Sequence, residues 1–387
     1  MTTSIPFIDL QAQRRRLGEP LDQAILAAVA GGQWVMGPQV AELEAKLAAF
    51  AGVKHCIACA NGTDALMIVL RAWNIGPGDA VFVPAFTFAA SAEVVALVGA
   101  SPVFVDVQDD TFNMDPALTA AAVTPATRAV VPVHLFGLCA DMTAIGTAVG
   151  PSIAVVEDAA CAAGASYHGR PAGGLGSAAC FSFHPRKSIT TGEGGMLVTA
   201  DADLAGRAEQ LRNHGAAVPE EVRHHGPAPF LLPDFDELGF NYRMTDLQAA
   251  IGLVQLSKLD AFVDERAQWA KWYSDELASL GWLRLPEEPE GGRHAWQAYV
   301  TVVDEDAPIA RNDLMARLHE LGVATRPGTH SVPSTGYYRR RLDVETDSYP
   351  VATRLQEQSM AIPLHNRMTH DDYEYVVSAI RATVGAR

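Results

Sequence analysis

The stretch Phe181-Ser182-Phe183-His184-Pro185-Arg186-Lys187-Ser188-Ile189-Thr190-Thr191-Gly192-Glu193-Gly194-Gly195 decides the reading of this chain. An apolar run ending in Cys180-Phe181-Ser182-Phe183 predicts a buried strand, and Met196-Leu197-Val198-Thr199 predicts a second one after the glycines. The glycines supply the positive φ that a tight return between two strands needs. Between the strands stands a single lysine, Lys187. A lysine held on a rigid turn at a strand end suits imine formation with an aldehyde cofactor. The same spacing also describes a solvated loop lysine, so its company has to decide.

Length and composition bound that company. A chain of 387 residues with 49% hydrophobic content exceeds one ordinary core and argues against disorder. The change of rhythm near Asn241 predicts a large α/β domain over 1–255 and a smaller α+β domain over 256–387. A formal charge of −16 argues against nucleic acid as a partner, since phosphate backbones demand a basic surface. No apolar run approaches the roughly 20 residues that span a bilayer. The start, Met1-Thr2-Thr3-Ser4-Ile5-Pro6, lacks a secretory pattern, and the expectation is a cytoplasmic enzyme with no membrane partner. Cys56, Cys59, Cys139, Cys161 and Cys180 are scattered among apolar neighbours, with no second pair or histidine spaced for zinc, so no metal is expected.

Working outward, Asp22 to Ala30 and Val40 to Phe50 show helical spacing on either side of a glycine-rich turn. A short strand at His55 to Ala60 runs into Asn61-Gly62-Thr63-Asp64, and the helix after it lines up Leu66, Val69, Leu70 and Trp73 on one face. Apolar runs at Ala80 to Pro84, Pro102 to Val107, Ala129 to Val133 and Ile153 to Val156 alternate with helices. That alternation predicts a mostly parallel sheet buried on both faces. Thr245-Asp246-Leu247-Gln248 is a capping box for a helix running past Leu256 into the Asp264 to Leu280 stretch. Ala295 to Val303 reads as a strand, Asn312 to Leu321 as a helix stopped by Gly322, and Pro286 to Gly292 as a surface loop inside the small domain.

Four features fit one cofactor, pyridoxal phosphate. The first is Lys187. The second is Asp158, an acid at the C-terminal end of a buried strand, where open α/β sheets place ligands; a carboxylate there can keep a pyridine nitrogen protonated. The third is Gly62-Thr63 opening a helix, whose free amides and dipole make a phosphate site. The fourth is Phe88 after the Val81-Phe82-Val83-Pro84 strand, a rigid aromatic able to stack on the ring. Singly, each also reads as a helix cap, a turn or a core aromatic.

Together these residues resemble the DegT/DnrJ/StrS-type family of pyridoxal phosphate-dependent sugar aminotransferases, of fold type I. The match spans Phe7-Ile8-Asp9-Leu10 to the C-terminal helix and is most specific from Ser182 to Gly195; Glu157-Asp158-Ala159-Ala160 and Gly239-Phe240-Asn241-Tyr242-Arg243-Met244 support it. The resemblance implies that Lys187 forms the imine with the cofactor, that Asp158 pairs with the pyridine nitrogen, and that Phe88 stacks on the ring. It implies Gly62, Thr63 and Ser182 around the phosphate, with Asp64 and Cys161 also among the cofactor-binding residues, and Asn241 reaching in from the other subunit of a homodimer. Trp34, His184, Arg243 and His330 are the candidates beside the substrate. Two departures stand out. Cys161 occupies a position where the family usually has glutamine or histidine, and Thr325-Arg326-Pro327-Gly328-Thr329-His330 differs from the more usual tyrosine–proline pattern.

The expected reaction is amino transfer from L-glutamate to a nucleotide-linked keto-sugar, giving an amino sugar and 2-oxoglutarate. Amination of a non-nucleotide cyclic ketone is the alternative. A sugar dehydratase of the same family carries histidine where this chain has Lys187, so the lysine argues against it.

Overall fold

The computed structural model describes residues 4–217, 230, 232, 234–342 and 348–385. The reading of Met1 to Thr3 lies outside these residues. The first helix, α1 (Leu10–Gly31), is longer than its apolar spacing predicts: Asp9 caps it by accepting the Ala12 amide at 2.8 Å, and the helix is interrupted at Gly18, where φ is +60° just before Pro20. Helix α2 (Pro38–Ala51) starts on Asp246, whose Oδ1 accepts the amides of Gly37 and Val40.

The large sheet is built from β1 (His55–Cys59), β2 (Ala80–Pro84), β4 (Ser101–Val105), β5 (Thr127–Val130), β6 (Ala154–Asp158), β9 (Ala178–Ser182) and β10 (Gly195–Thr199). Its order is β1-β10-β9-β6-β5-β2-β4. Neighbours from β9 through β4 run parallel, while β1, β10 and β9 pair antiparallel. The short strand β3 (Phe86–Thr87) leaves the end of β2. Helices α3 (Gly62–Ala72), α4 (Ala90–Leu97), α5 (Pro116–Ala122), α6 (Met142–Val149) and α7 (Ala202–Arg212) cover the sheet. Expected to be one-sided, α3 has every residue from Ala65 to Leu70 buried, because it is wedged between the sheet and the neighbouring helices α4 and α7. Buried phenylalanines such as Phe181 and Phe183 each contribute on the order of 2–3 kcal/mol to this core.

The capping box at Thr245 is present, with the Thr245 amide donating to Gln248 Oε1 at 2.9 Å and the Gln248 amide to Thr245 Oγ1 at 3.2 Å. The helix it opens, α8 (Asp246–Leu256), does not continue as expected. It stops at Ser257–Lys258, and α9 (Leu259–Leu277) begins anew with Lys258 as its cap residue. The later half forms a second, antiparallel sheet of β11 (Leu283–Arg284), β13 (Tyr299–Val303), β14 (Arg326–Pro327) and β16 (Ser359–Ile362), in the order β11-β13-β16-β14. It packs with α9, α10 (Arg311–Glu320) and α13 (His370–Gly385) around Tyr273, Tyr299 and Tyr373.

Two expectations change here. The strand read from Ala295 begins only at Tyr299, because Trp296 takes a φ of +49° and the Ala295 and Ala298 amides turn to the carbonyls of Gly137 and Phe136. The loop ending at Gly292 is not confined to the small sheet's side. Strand β12 (Gly292–Arg293) pairs with β7 (Ser166–Tyr167) beside β8 (Arg170–Pro171), so it knits the two halves together. Strand β15 (His330–Ser331) does the same by pairing with β3, followed by α11 (Gly336–Leu342) and α12 (Pro350–Gln358). Among the described residues no helix is long and apolar enough to cross a membrane.

Candidate active site

The Lys187 loop is closed at its base by β-type bonds, the Phe183 amide to Gly194 O at 2.8 Å and the Thr191 amide to Phe183 O at 3.0 Å. Glutamines from later in the chain hold its backbone. Gln255 on α8 brackets Thr190 through both side-chain ends, Gln248 donates to Glu193 O at 2.7 Å, and Gln297 donates to Arg186 O at 2.7 Å. Of the glycines expected to turn the chain, only Gly192 has positive φ, +85°. Gly194 and Gly195 are there for lack of room. A Cβ on Gly195 would lie 2.2 Å from the Asn61 carbonyl, so this glycine lets the lysine loop back directly onto the turn that opens α3. Lys187 is half-buried, and its Nζ donates to Cys161 Sγ at 3.3 Å.

Asp158 is buried at the end of β6. Ser91 Oγ donates to its Oδ2 at 2.7 Å, and the Ala160 amide donates to Oδ1 at 3.2 Å. Behind it lies a fully buried pair, His134 and Glu157, 2.9 Å apart. The Ala140 amide donates to His134 Nδ1, so the ring's proton sits on Nε2 and points at Glu157. Burial alone would raise the Glu157 carboxyl, but His134 and the amides of Gly173 and Gly176 outweigh it and hold it below the ordinary value. That arrangement stiffens the strand end carrying Asp158, since the His134 amide also donates to Asp158 O.

The phosphate-type cradle forms where α3 meets β9. Asn61 caps α3 by accepting the Asp64 amide at 2.9 Å, and the amides of Gly62 and Thr63, in the first turn, have no intrahelical acceptor. A Cβ on Gly62 would stand 2.8 Å from Ser182 Cβ and 3.1 Å from Phe181 O, so glycine is what lets the helix end approach Ser182. Phe88 follows β3 with 59% of its surface exposed, free to cover a flat ligand. His330 is exposed and sits opposite Thr87 in the β15–β3 pair, one residue from Phe88.

Other expected residues fall in different places. His184 is beside the lysine: its Nδ1 accepts the Arg186 amide, and burial, with Arg186 and Lys187, holds its ring below the ordinary histidine value. The Asp64 carboxylate accepts from Asn61 Nδ2 at 2.8 Å, and burial pushes it up to about 6. Trp34, Asn241 and Arg243 gather at the surface around the start of α8. Trp34 O accepts the Asp246 amide, and Arg243 donates to Asn241 Oδ1 and Asn213 Oδ1. The sequence reading missed Ser91, Gln248, Gln255 and Gln297. Only the two glutamines of α8, seven residues apart on one helix face, carried a signal that could have been found.

These residues fit pyridoxal phosphate. A primary amine, a buried carboxylate held by two donors, a helix end whose glycine a methyl group would block, and an exposed ring are groups of the kinds such a cofactor needs. The thiols of Cys56, Cys59, Cys139 and Cys180 are pushed up by burial, which leaves half-buried Cys161 as the one cysteine in contact with the chemistry.

Known proteins agree. The chain is 38% identical over 385 residues to a UDP-N-acetyl-3-dehydro-alpha-D-glucosamine 3-aminotransferase of Acidithiobacillus ferrooxidans, covering 99% of this chain and 98% of that one. It is 40% identical over 351 residues to the GDP-perosamine synthase of Caulobacter vibrioides, covering 90% and 91%. Among solved structures, DesV of S. venezuelae in complex with a ketimine intermediate superposes with a TM-score of 0.91 at 33% identity, covering 100% of each chain. The profile of the DegT/DnrJ/EryC1/StrS aminotransferase family matches residues 16–381, and the chain belongs to that family of pyridoxal phosphate-dependent aminotransferases.

Proposed function

We propose that this enzyme moves an amino group from L-glutamate to a keto-sugar carried on a nucleotide diphosphate, as a cytoplasmic homodimer with shared sites. The observation that carries the reading is Lys187 Nζ, presented beside Cys161 on a loop braced against both the phosphate cradle and Asp158's sheet. Similarity to relatives named for nucleotide-sugar amination supports the substrate class. When bound, the cofactor supplies an aldehyde that takes up the amine and a ring that accepts the electron pair left on carbon.

The chain's own residues do the rest. Lys187 Nζ would hold the cofactor's aldehyde and, once free, would carry the proton taken from the donor's α-carbon, and the same atom would serve the keto-sugar. Asp158, fixed by Ser91 and Ala160, would hold the proton on the cofactor's ring nitrogen. The first-turn amides of Gly62 and Thr63, with Ser182, would bind its phosphate. Cys161 accepts the Lys187 N–H and so orients it. The exposed Asn241 and Trp34 are offered to a second subunit.

The test separates the two halves of the reaction. L-glutamate alone should bleach the bound aldehyde form and release one 2-oxoglutarate per site. A nucleotide keto-sugar should then restore that form and leave with nitrogen added. Bleaching by glutamate, followed by recovery only with a free cyclic ketone, would refute the nucleotide-sugar substrate while leaving amino transfer standing.

A further inference from the structure

Next to Lys187 a cavity opens toward the second sheet, with four cations in its wall. Arg186, Lys187, Arg266 and Arg367 line it, with Asp9 as the one carboxylate. One Asp9 oxygen is already taken as the α1 cap. Arg266 is 92% buried (8% exposed) and bonds only neutral groups, Asn366 Oδ1 at 2.9 Å and Trp296 O at 3.2 Å. Burial lowers it to about 10, outweighing the opposing influence of Tyr373 and Glu265. Glu265, next to it in sequence, is occupied by Arg16 and Asn366.

Two further polar atoms are buried and unmatched among the described residues: Arg367 Nε finds no acceptor there and His365 Nδ1 no donor. The His365 ring donates through Nε2 to Pro6 O at 3.1 Å, which leaves Nδ1 as a lone pair; the residue is 94% buried (6% exposed). Arg367 is held over the Phe262 ring, 5.8 Å from its centroid, and its Nη1 donates to Asn366 O at 2.7 Å, so its fork is oriented with one arm already used. Unpaired buried donors and charges are costly, and proteins keep them where a ligand supplies the partner. A carboxylate answers the arginines. The cavity volume, about 20 Å³, suits one such group, since a single water needs ~10–15 Å³.

We propose that this cavity is the subsite for a carboxylate of the amino donor, with Arg367 as the residue that selects an acidic amino acid over the sugar substrate. The inference rests on the aminotransferase reading, and it locates the two substrates differently. The keto-sugar enters past Phe88 and His330, whereas the donor's carboxylate is held on the side of Lys187 facing α9 and His365.

Calorimetry on the holoenzyme with 2-oxoglutarate, inorganic phosphate and a nucleotide keto-sugar, run beside the glutamate half-reaction, tests this. Arg367→Gln should weaken 2-oxoglutarate and L-glutamate binding tenfold or more, with keto-sugar affinity within twofold of wild type. Arg367→Lys keeps the cation but loses the fork; it should weaken 2-oxoglutarate several-fold and covers the case in which the glutamine variant does not fold. Unchanged 2-oxoglutarate affinity in a folded variant overturns the proposal. So does an equal loss for keto-sugar or a stronger effect on phosphate, which would make the cavity a phosphate subsite. If wild type binds 2-oxoglutarate tightly yet glutamate produces no bleaching, the amino-transfer reading fails and the carboxylate subsite stands.

Discussion

Ser91 and Asp158 are joined by a 2.7 Å hydrogen bond that links the first turn of α4 to the end of β6. Both side chains are buried, so the serine fixes the carboxylate that we propose meets a ring nitrogen. A hydrogen bond to a charged group is worth about 1.5–3 kcal/mol. Ser91→Ala is therefore expected to slow the glutamate half-reaction roughly 10- to 100-fold with the cofactor still bound. Stopped-flow absorbance measures it. A rate within threefold of wild type would show that Asp158 needs no help from Ser91.

The close approach of Gly62 to Ser182 makes a single methyl group informative. Gly62→Ala places a Cβ at 2.8 Å from Ser182 Cβ and 3.1 Å from Phe181 O, and overpacking of this kind costs about 1–3 kcal/mol. The expected result is cofactor affinity at least tenfold weaker, read by equilibrium dialysis, with the circular dichroism of the cofactor-free protein unchanged. Tight cofactor binding by this variant would remove the cradle from that position.

Asn241 is exposed on its own chain while Lys187 is half-buried, which suits a residue that serves a neighbouring copy. Lys187→Ala and Asn241→Ala should each be inactive alone. Mixed dimers of the two should recover about a quarter to a half of wild-type activity per dimer, because one of the two sites is then intact. Verified mixed dimers without activity would place Asn241 outside the partner's site.

Acid should unfold the protein earlier than its surface carboxylates require. Burial drives the His294 ring down to about 3, and its Nδ1 accepts the Trp296 amide at 2.8 Å. The unfolded residue takes up a proton near pH 6.5, which the folded one refuses. Stability is therefore flat above about pH 6.5. It declines below that by up to about 1.4 kcal/mol per pH unit, until the folded ring itself titrates. Denaturant midpoints at pH 7.5, 6 and 5 should trace this slope. His294→Asn, which keeps an acceptor for Trp296, should flatten it; an equally steep slope in that variant would assign the acid sensitivity elsewhere.

The parts of the structure that announce themselves in sequence are those where one physical demand acts on consecutive residues. Buried strands must be apolar throughout, so β2, β6, β9 and β10 are legible, and Thr245 with Gln248 names a helix start. The two-sided burial of α3 is not legible, because its second apolar face depends on helices that arrive later in the chain. Nor is the break at Lys258, which comes with backbone dihedrals rather than a glycine or proline. At the site, Lys187 and Asp158 stand out by type and place. Ser91 does not, since a serine near a helix start has many ordinary uses. Cys161 read as a departure from the usual glutamine or histidine and is the acceptor for Lys187. The Arg266–His365 wall joins stretches a hundred residues apart, which no local pattern could reveal.

The place of β1 at the edge of the large sheet has a consequence for how the protein is made. Its neighbour there is β10, pairing His55 with Thr199, so the strand that introduces Asn61 and Gly62 has no sheet partner until Thr199 has left the ribosome. The parallel strands β2, β4, β5 and β6 can assemble meanwhile, while an apolar edge waits unpaired and open to association with other chains. Long-range pairing of this kind is slow. The phosphate-binding end of α3 is thus encoded early and finished late, and a ligand that spans Gly62, Ser182 and Lys187 binds only once that pairing exists. A ligand bound there would stabilise the late-formed pairing along with the rest of the fold.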